Sequence, residues 1–572
     1  MKRVVIVTLL VTAGVALVLS EGARVEGQVQ RRPTAPFTIV EASIADLRTA
    51  MEQGRTTSRA IVQQSLERIA IYEERLNATI AVNPRALAEA DERDRERRQG
   101  RIRGPLHGIP IALKDNIHTT DMPTTGGALA FAGLIPPYEA TLTTHLRDAG
   151  AIIIAKTVMT ELANWVSPVM PTNYSSLGGF GRNPYDPRLD PRDATFDGRP
   201  VLATGGSSSG IGTAASFWAG NVGTETSGSI LSPSNQNMLA GIKPTVGRIS
   251  RYGVIPITAD QDTPGPMART VTDAAILFGV LEGEPDAQDA ATRACTSPPN
   301  HDYTPFLRRD GLKGARIGIP RAYFYDAIAV PGQSENQGGL NEAQRAAMTE
   351  AIAALRAEGA TIVDPADVPS VKATDPGNNL LAWPVCSGPA GARDRDAGCS
   401  IVFKFGMKRD FNAWLASLGA AAPVKTLTEL REWNRAHERA GTLKYGQGQL
   451  DNSDDMDLDR DRTRYMADRE KDLRLAGREG IDAAMRANNL DALLFPGGSG
   501  AFIAAKPGYP TVIVPFAMIP NAPTPPLPPG FNAKPSPYGV AFTGTACSEP
   551  KLLAMAYAFE QVTKKRRPPS LE

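Results

Sequence analysis

The chain has 572 residues, of which 42% are hydrophobic and 22% charged, and 62 Lys plus Arg against 61 Asp plus Glu leave a formal net charge of +1. This balance is ordinary for a globular protein and carries no broad basic or acidic field, which speaks against a nucleic-acid or membrane-surface partner. The length suits several average domains or one large α/β enzyme, so it does not by itself count domains.

The first segment reads as a leader. Lys2 and Arg3 precede an apolar run over 4–19, and small residues follow in Ser20-Glu21-Gly22 and Val25-Glu26-Gly27. That is the pattern of a secretory signal peptide, ending at 22 or 27 and giving an exported product, periplasmic or secreted. The alternative is a retained membrane anchor, because the run is only slightly short of the roughly 20 residues that span a bilayer. The four cysteines, Cys295, Cys386, Cys399 and Cys547, are compatible with export but too few for a disulfide scaffold. Cys386 and Cys399 flank a Gly-rich loop and are the expected pair, with buried free thiols as the alternative. His107, His118, His145, His301 and His437 never stand at metal-ligand spacing from each other or from a cysteine, so no metal and no cofactor is expected.

In chain order, the stretch 57–80 predicts a helix capped at Thr57 or Ser58, with Val62, Leu66, Ile69 and Leu76 on one stripe. The charged run 91–103 predicts a solvated helix end and loop. GIPIALKDNI, 108–117, predicts a short strand in which Lys114 interrupts an apolar run. Either this lysine snorkels from an edge, or it is buried with a lowered pKa and serves as a base. A helix over 141–149, a strand over 152–155 and a helix start capped by Thr160 come next, and this alternation indicates an α/β sheet. The stretch 174–200 reads as loop. It leads into TGGSSSGIGTAASFWAGNVGTETSGSILSPS, 204–234, read as a short helix over 211–218, a strand over 222–225 and a tight turn at the second Ser cluster.

The segment 240–275 alternates short apolar pieces with Gly and Pro, as strands joined by tight turns, and then enters a helix capped at Thr270 or Thr272. Beyond 300 the pattern predicts a βαβ-like unit from strands at 314–320 and 360–363 and a helix over 342–356. A long exposed helix is expected over 451–479, and strands at 490–495 and 511–516. A Pro-rich loop over 521–537, a final strand, turn and helix, and a frayed tail complete the chain. Walls of a binding pocket are expected from 167–181 and 382–407.

Serine hydroxyls at two fixed places, unobstructed backbone amides and one lysine are sufficient parts for a serine hydrolase that uses no histidine. The five blocks GIPIALKDNI, TGGSSSG, GTETSGSI, GIKPTVGRISRYGVIP and QDTPGPMARTVTDAA, in this order, resemble the amidase signature family, strongly over 106–275 and more loosely through LDALLFP, GYPTVIVP and PYGVAFTG. The resemblance implies a single large amidase-signature α/β domain over 38–565, with a mixed sheet flanked by helices on both faces. Its parts would be a signature core at 105–275, a variable helical region at 300–480 and returning strands at 485–565.

The resemblance also implies a triad in which Ser229 is the nucleophile, Ser207 the relay in a cis peptide and Lys114 the base. The amides of Thr226, Ser227, Gly228 and Ser229 would form the oxyanion hole. Asp115 and Asn116 would hold the lysine segment and Asp262 the turn, while Ser176, Ser232 and Ser234 are expected to serve loop hydrogen bonding. Ser227 and Leu231 depart from the family pattern beside the nucleophile. The interval from Ser207 to Ser229 is also slightly short, so either the helix between them is trimmed or Ser208 or Ser209 shares the relay role. The implied substrate is a small-molecule or peptide amide, with C-terminal peptide amides or related acyl and aryl amides foremost. The alternatives are an esterase or lactam-cleaving hydrolase on the same fold, or a binding homologue without activity.

Overall fold

Continuous apolar strands need cover on both faces, whereas alternating ones need it on one. The chain forms one mixed sheet of eleven strands, and its central strands are buried along their length. The strands in chain order are β1 (Thr79–Val82), β2 (Pro110–Lys114), β3 (Ile152–Thr157), the short hairpin β4 (Tyr174–Ser175) and β5 (Gly179–Phe180), β6 (Gly220–Glu225), β7 (Ala240–Lys243) and β8 (Thr263–Ala268). They continue with β9 (Arg316–Gly318), β10 (Thr361–Val363), β11 (Ala492–Pro496), β12 (Thr511–Ile519) and β13 (Ser536–Thr543). The main sheet runs β1-β3-β2-β6-β8-β7-β12-β13-β11-β9-β10, with the β4–β5 hairpin outside it. A computed structural model describes residues 37–192, 197–206, 210–388 and 396–571. The expected leader therefore lies outside the described residues, as do Ser207, Ser208 and Ser209.

β2 is parallel to both β3 and β6, and every residue of these three strands is buried. β6, β8, β7, β12, β13 and β11 then pair antiparallel in that order, and β11, β9 and β10 return to parallel pairing. Helix Val271–Glu282 packs on β7 and β8, Leu231–Gln236 on β12 and β13, and Glu549–Thr563 on β12. Thr38–Glu572 form one compact unit. No helix among the described residues is long and apolar enough to cross a membrane.

Local signals place many boundaries. Thr57 caps helix Ser58–Leu76 by accepting from the Ala60 amide, and Asn77 ends it in the left-handed region at φ 47°. Thr270 caps Val271–Glu282 through the Asp273 amide. Such a cap contributes about 1 kcal/mol. β9, helix Glu342–Ala357 and β10 form the expected parallel βαβ unit.

Four expectations about the elements fail, three of them for a tertiary reason. The run 91–103 is not simply solvated: Asp94 is buried and accepts from the Ser58 and Arg59 amides at 2.8 and 3.0 Å, while Glu96 is buried against Arg93 and Arg103. The stretch 451–479 is no single exposed helix: helices Gly448–Asp454 and Arg462–Asp472 divide it, and Asp468 and Asp472 turn inward and accept from the Ile401 amide, the Trp383 indole, the Ser400 hydroxyl and Lys506. Within 174–200 the β4–β5 hairpin forms. The tail is held, since Arg566 pairs with Glu41 at 2.8 Å and Arg75 donates to the Leu571 carbonyl at 2.7 Å. The cysteines are not free thiols. Cys386 pairs with Cys399 as expected, and Cys295 pairs with Cys547 across 252 residues, a partnership that spacing could not reveal.

Candidate active site

Lys114 is the last residue of β2 and is fully buried, so it does not snorkel. β2 pairs with β6, which puts the lysine beside Thr224, five residues before Ser229. Its Nζ donates to the Thr224 hydroxyl at 2.9 Å and to the Thr224 carbonyl at 3.2 Å. Among the described residues no carboxylate lies within ion-pair distance of it. Taking an ammonium out of water is costly unless a counterion repays it. Burial accordingly pulls Lys114 down to about 7, with Asp262 and Glu225 pulling more weakly upward. Lys114 is thus poised to hold or lose a proton near neutrality.

The neighbours of Lys114 fix its position. Asn116 Nδ2 donates to the same Thr224 hydroxyl at 3.0 Å, so it does hold the lysine segment. Asp115 turns the other way, accepting from the Thr125 amide at 3.0 Å and lying 3.4 Å from Lys156 Nζ. Lys156, on β3, and Lys243, on β7, are also fully buried. Lys156 has a carboxylate partner, and Lys243 donates to the Pro244 and Tyr509 carbonyls. Of the three, among the described residues, Lys114 alone hydrogen-bonds to the strand that leads into the serine turn.

That turn, 226–230, is braced on two sides. From inside, Glu225 Oε2 accepts the Ile230 and Leu231 amides at 2.7 and 2.9 Å. From the flank, the Thr226 hydroxyl donates to Asp262 Oδ1 at 2.5 Å, and Asp262 Oδ2 accepts the Ile257 and Thr258 amides. Asp262 therefore holds the turn, and burial pushes its carboxyl up to about 7. Gly228 sits at φ 97°, a conformation that side chains rarely adopt. Among the described residues, the Ser227, Gly228 and Ser229 amides donate to no acceptor. Ser229 is 8% exposed and opens on a cavity of about 390 Å³.

The loop carrying the first serine cluster is pressed against this turn. Gly205, at φ 92°, leaves no room for a Cβ, which would lie 2.4 Å from the Pro233 nitrogen. A Cβ on Gly206 would lie 3.0 Å from Ser229 Oγ. Thr160 receives the Asn173 amide on its hydroxyl and donates that hydroxyl to the Gly206 carbonyl at 2.9 Å. Thr160 thus anchors this loop; it does not cap the segment after it, which is the 3₁₀ turn Glu161–Asn164. The structure brings Thr226, Ser227, Gly228, Ser229 and Gly206 to one cavity, with Lys114 against Thr224 on the strand that leads to it, while Ser207 falls outside the described residues. The helix that follows, Gly210–Ala214, is only five residues long.

The cavity walls include Thr172, Val385, Ser387 and Phe403, from the two stretches expected to supply them, together with Ala163, Asn164, Trp165, Ile257 and Gln449. Ser176 accepts the Leu129 amide, as expected of a loop residue. Ser232 lines the cavity, and the buried Ser234 hydroxyl has no partner among the described residues, so neither fits the simple loop role. Glu225, Asn164 and Gln449 were not singled out by the sequence. A glutamate closing the expected strand 222–225 just before a glycine turn was the one available signal.

The family model for amidases matches residues 60–553. The chain belongs to the amidase family. Three further likenesses extend over nearly the whole of this amidase. A protein of Arabidopsis thaliana named "Probable amidase" is 33% identical over 562 residues, spanning 97% of this chain and 95% of its own. The structure of native peptide amidase from Stenotrophomonas maltophilia superposes with a TM-score of 0.78 at 36% identity, covering 94% of this chain and all of that one. An amidase family protein from Bacillus anthracis str. Ames gives a TM-score of 0.75 at 29% identity, with 93% of each chain covered. The amidase is accordingly a hydrolase acting on carboxamide C–N bonds, and its mixed sheet is the fold of its relatives.

Proposed function

We propose that this amidase cleaves its substrate through an acyl-enzyme on Ser229, with Lys114 as the base and Ser207 as the proton relay between them. The observation that carries this reading is a buried lysine without an ion-pair partner among the described residues, pulled to about 7, whose Nζ touches the strand that delivers Ser229 to a cavity. A serine hydroxyl attacks an amide only as its proton leaves. In this mechanism the Ser229 proton passes to Ser207 as the Ser207 proton passes to neutral Lys114. The Ser229 oxygen then bonds to the carbonyl carbon, and the developing oxyanion meets the amides of Thr226, Ser227, Gly228 and Ser229. Collapse breaks the C–N bond while the proton held by Lys114 returns through Ser207 to the departing nitrogen. Water then attacks the ester by the same relay, releasing the carboxylate and restoring Ser229.

For substrate, the reading favours C-terminal peptide amides or related acyl and aryl amides. The peptide amidase of Stenotrophomonas maltophilia is similar over nearly the full chain and supports this choice. Export is part of the same proposal, supported by the leader pattern and by two disulfides, which persist in oxidising compartments. The test is ammonia release from a peptide amide. Ser229→Ala and Lys114→Ala are each expected to lower kcat by at least roughly a thousandfold. Full activity in either variant would refute the assigned roles.

A further inference from the structure

The ladder of β6 with β2 ends at Val222 and that with β8 at Glu225, so the Thr226 carbonyl lies beyond both. A buried carbonyl needs a partner, and here a side chain supplies it. Gln261 Nε2 donates to the Thr226 carbonyl at 3.1 Å. Gln261 is 2% exposed and is absent from the described residues that line the cavity. Its Oε1 has no hydrogen-bond partner among the described residues. The bond gained at one end of this carboxamide is thus set against an acceptor buried unbonded at the other, which makes the residue a poor stabilising contact.

In a planar trans peptide the C=O and the following N–H point in opposite directions. No cis bond falls in the serine turn, so a Thr226 carbonyl turned to Gln261 directs the Ser227 N–H away from it. Ser227 is exposed and lines the cavity, and among the described residues its amide meets no acceptor. The Gly228 carbonyl is held by the Ser232 amide at 2.7 Å, which sets the Ser229 N–H in the same way. Gln261 is in turn fixed by its own backbone. Its amide and that of Asp262 donate to the Thr258 carbonyl at 3.2 and 3.0 Å. Helix Val402–Ser417 presses on this turn so closely that a Cβ on Gly406 would lie 2.1 Å from Thr258 Oγ1. Asp262 accepts the Thr226 hydroxyl, so the one turn grips Thr226 at its side chain and at its carbonyl.

We infer that Gln261 is a positioning residue for the oxyanion hole: by holding the Thr226 carbonyl on the far side of the turn, it aims the Ser227 N–H at the substrate oxygen. This rests on the acyl-enzyme reading above and deepens it. Gln261 touches no substrate; it acts through the Thr226–Ser227 peptide. Released from Gln261, that peptide plane is free to turn over, which puts a carbonyl oxygen where the donor stood and sets it against the developing negative charge. Donors fixed beforehand are effective because nothing has to reorganise as the charge forms.

The experiment measures ammonia release by the full chain from N-acetyl-phenylalaninamide and from the same compound with its C-terminal carboxamide converted to a thioamide. Sulfur accepts hydrogen bonds weakly, so the hole contributes less to the second. Gln261→Met keeps the length and loses the donor, while Gln261→Asn keeps the carboxamide and falls short of Thr226. Each is expected to lower the amide-to-thioamide ratio of kcat/KM about 10- to 100-fold, through kcat with KM little changed. An unchanged ratio in a folded variant, an equal loss on both substrates, or a loss confined to KM overturns the role. The wild-type adduct with N-acetyl-phenylalaninal reads the same contact without a variant. Its crystal structure is expected to place the hemiacetal oxygen within hydrogen-bond distance of the Ser227 amide, with the Thr226 carbonyl still on Gln261. An oxygen out of reach of that amide overturns the role even where both variants fail to fold. A fully active Ser229→Ala sinks the acyl-enzyme reading and this role with it, whereas an inactive Ser229→Ala beside an unchanged ratio in the Gln261 variants sinks this role alone.

Discussion

At the scale of single residues, the proposed base makes a sharp demand on pH. Only neutral Lys114 accepts a proton, and its value sits at about 7. kcat/KM is therefore expected to fall about tenfold per pH unit below about 7 and to level off above it. Thr224→Val removes the hydroxyl that accepts from Lys114 at 2.9 Å. An accepted hydrogen bond favours the ammonium form, so its loss is expected to move the acidic limb to lower pH and to lower kcat. An acidic limb that stays in place would assign it to a group other than Lys114. Asp262, which burial also holds near 7, is the nearest alternative.

The lysine, the serine turn and the glycines beside it were legible in the sequence, because each has a residue type that local chemistry demands. A lysine inside IALKDN has to be exposed or titrating, and Gly228 marks a turn closed to other residues. The LKDN block singled out Lys114, but the residues alone left open whether it snorkels or is buried; the pairing of β2 with β6, which sets it against Thr224, decides that. Asn164 and Gln449 were illegible for a related reason, since a polar residue in a loop or a short helix carries no sign of the cavity that tertiary packing closes around it.

At the scale of elements, the two disulfides are expected to divide their effects. Cys386–Cys399 closes 13 residues of chain, and Val385 and Ser387, next to it, line the cavity. Cys295–Cys547 closes 252 residues and touches no described wall of the cavity. Loop-closure entropy grows with the logarithm of loop length, giving about 3 kcal/mol for the shorter loop and about 5 for the longer. Cys295→Ser is thus expected to lower Tm more than Cys386→Ser, while Cys386→Ser raises KM more. Thermal melts and steady-state kinetics on the two variants check both halves, and the reverse order would contradict this division. The boundaries that pattern alone placed well are those with local caps, such as Thr57 and Thr270. The misplaced ones, 91–103 and 451–479, have charged residues that a partner element draws inward.

At the scale of the whole molecule, the eleven-stranded sheet positions the site by bringing β2 and β6 side by side, with the serine turn at the end of β6. The fold was legible from five blocks in order, through their resemblance to the amidase signature family. The leader pattern makes its own prediction: the exported protein is expected to begin after residue 22 or 27, and N-terminal sequencing reads this directly. A product retaining Met1 in the membrane would replace export with anchoring.

The nucleophile is the hinge of all these statements, and labelling by a fluorophosphonate tests it in one step. Peptide mass mapping of the labelled protein is expected to place one adduct on Ser229 and none in Ser229→Ala. An adduct on another serine, or labelling undiminished in folded Ser229→Ala, would contradict the account.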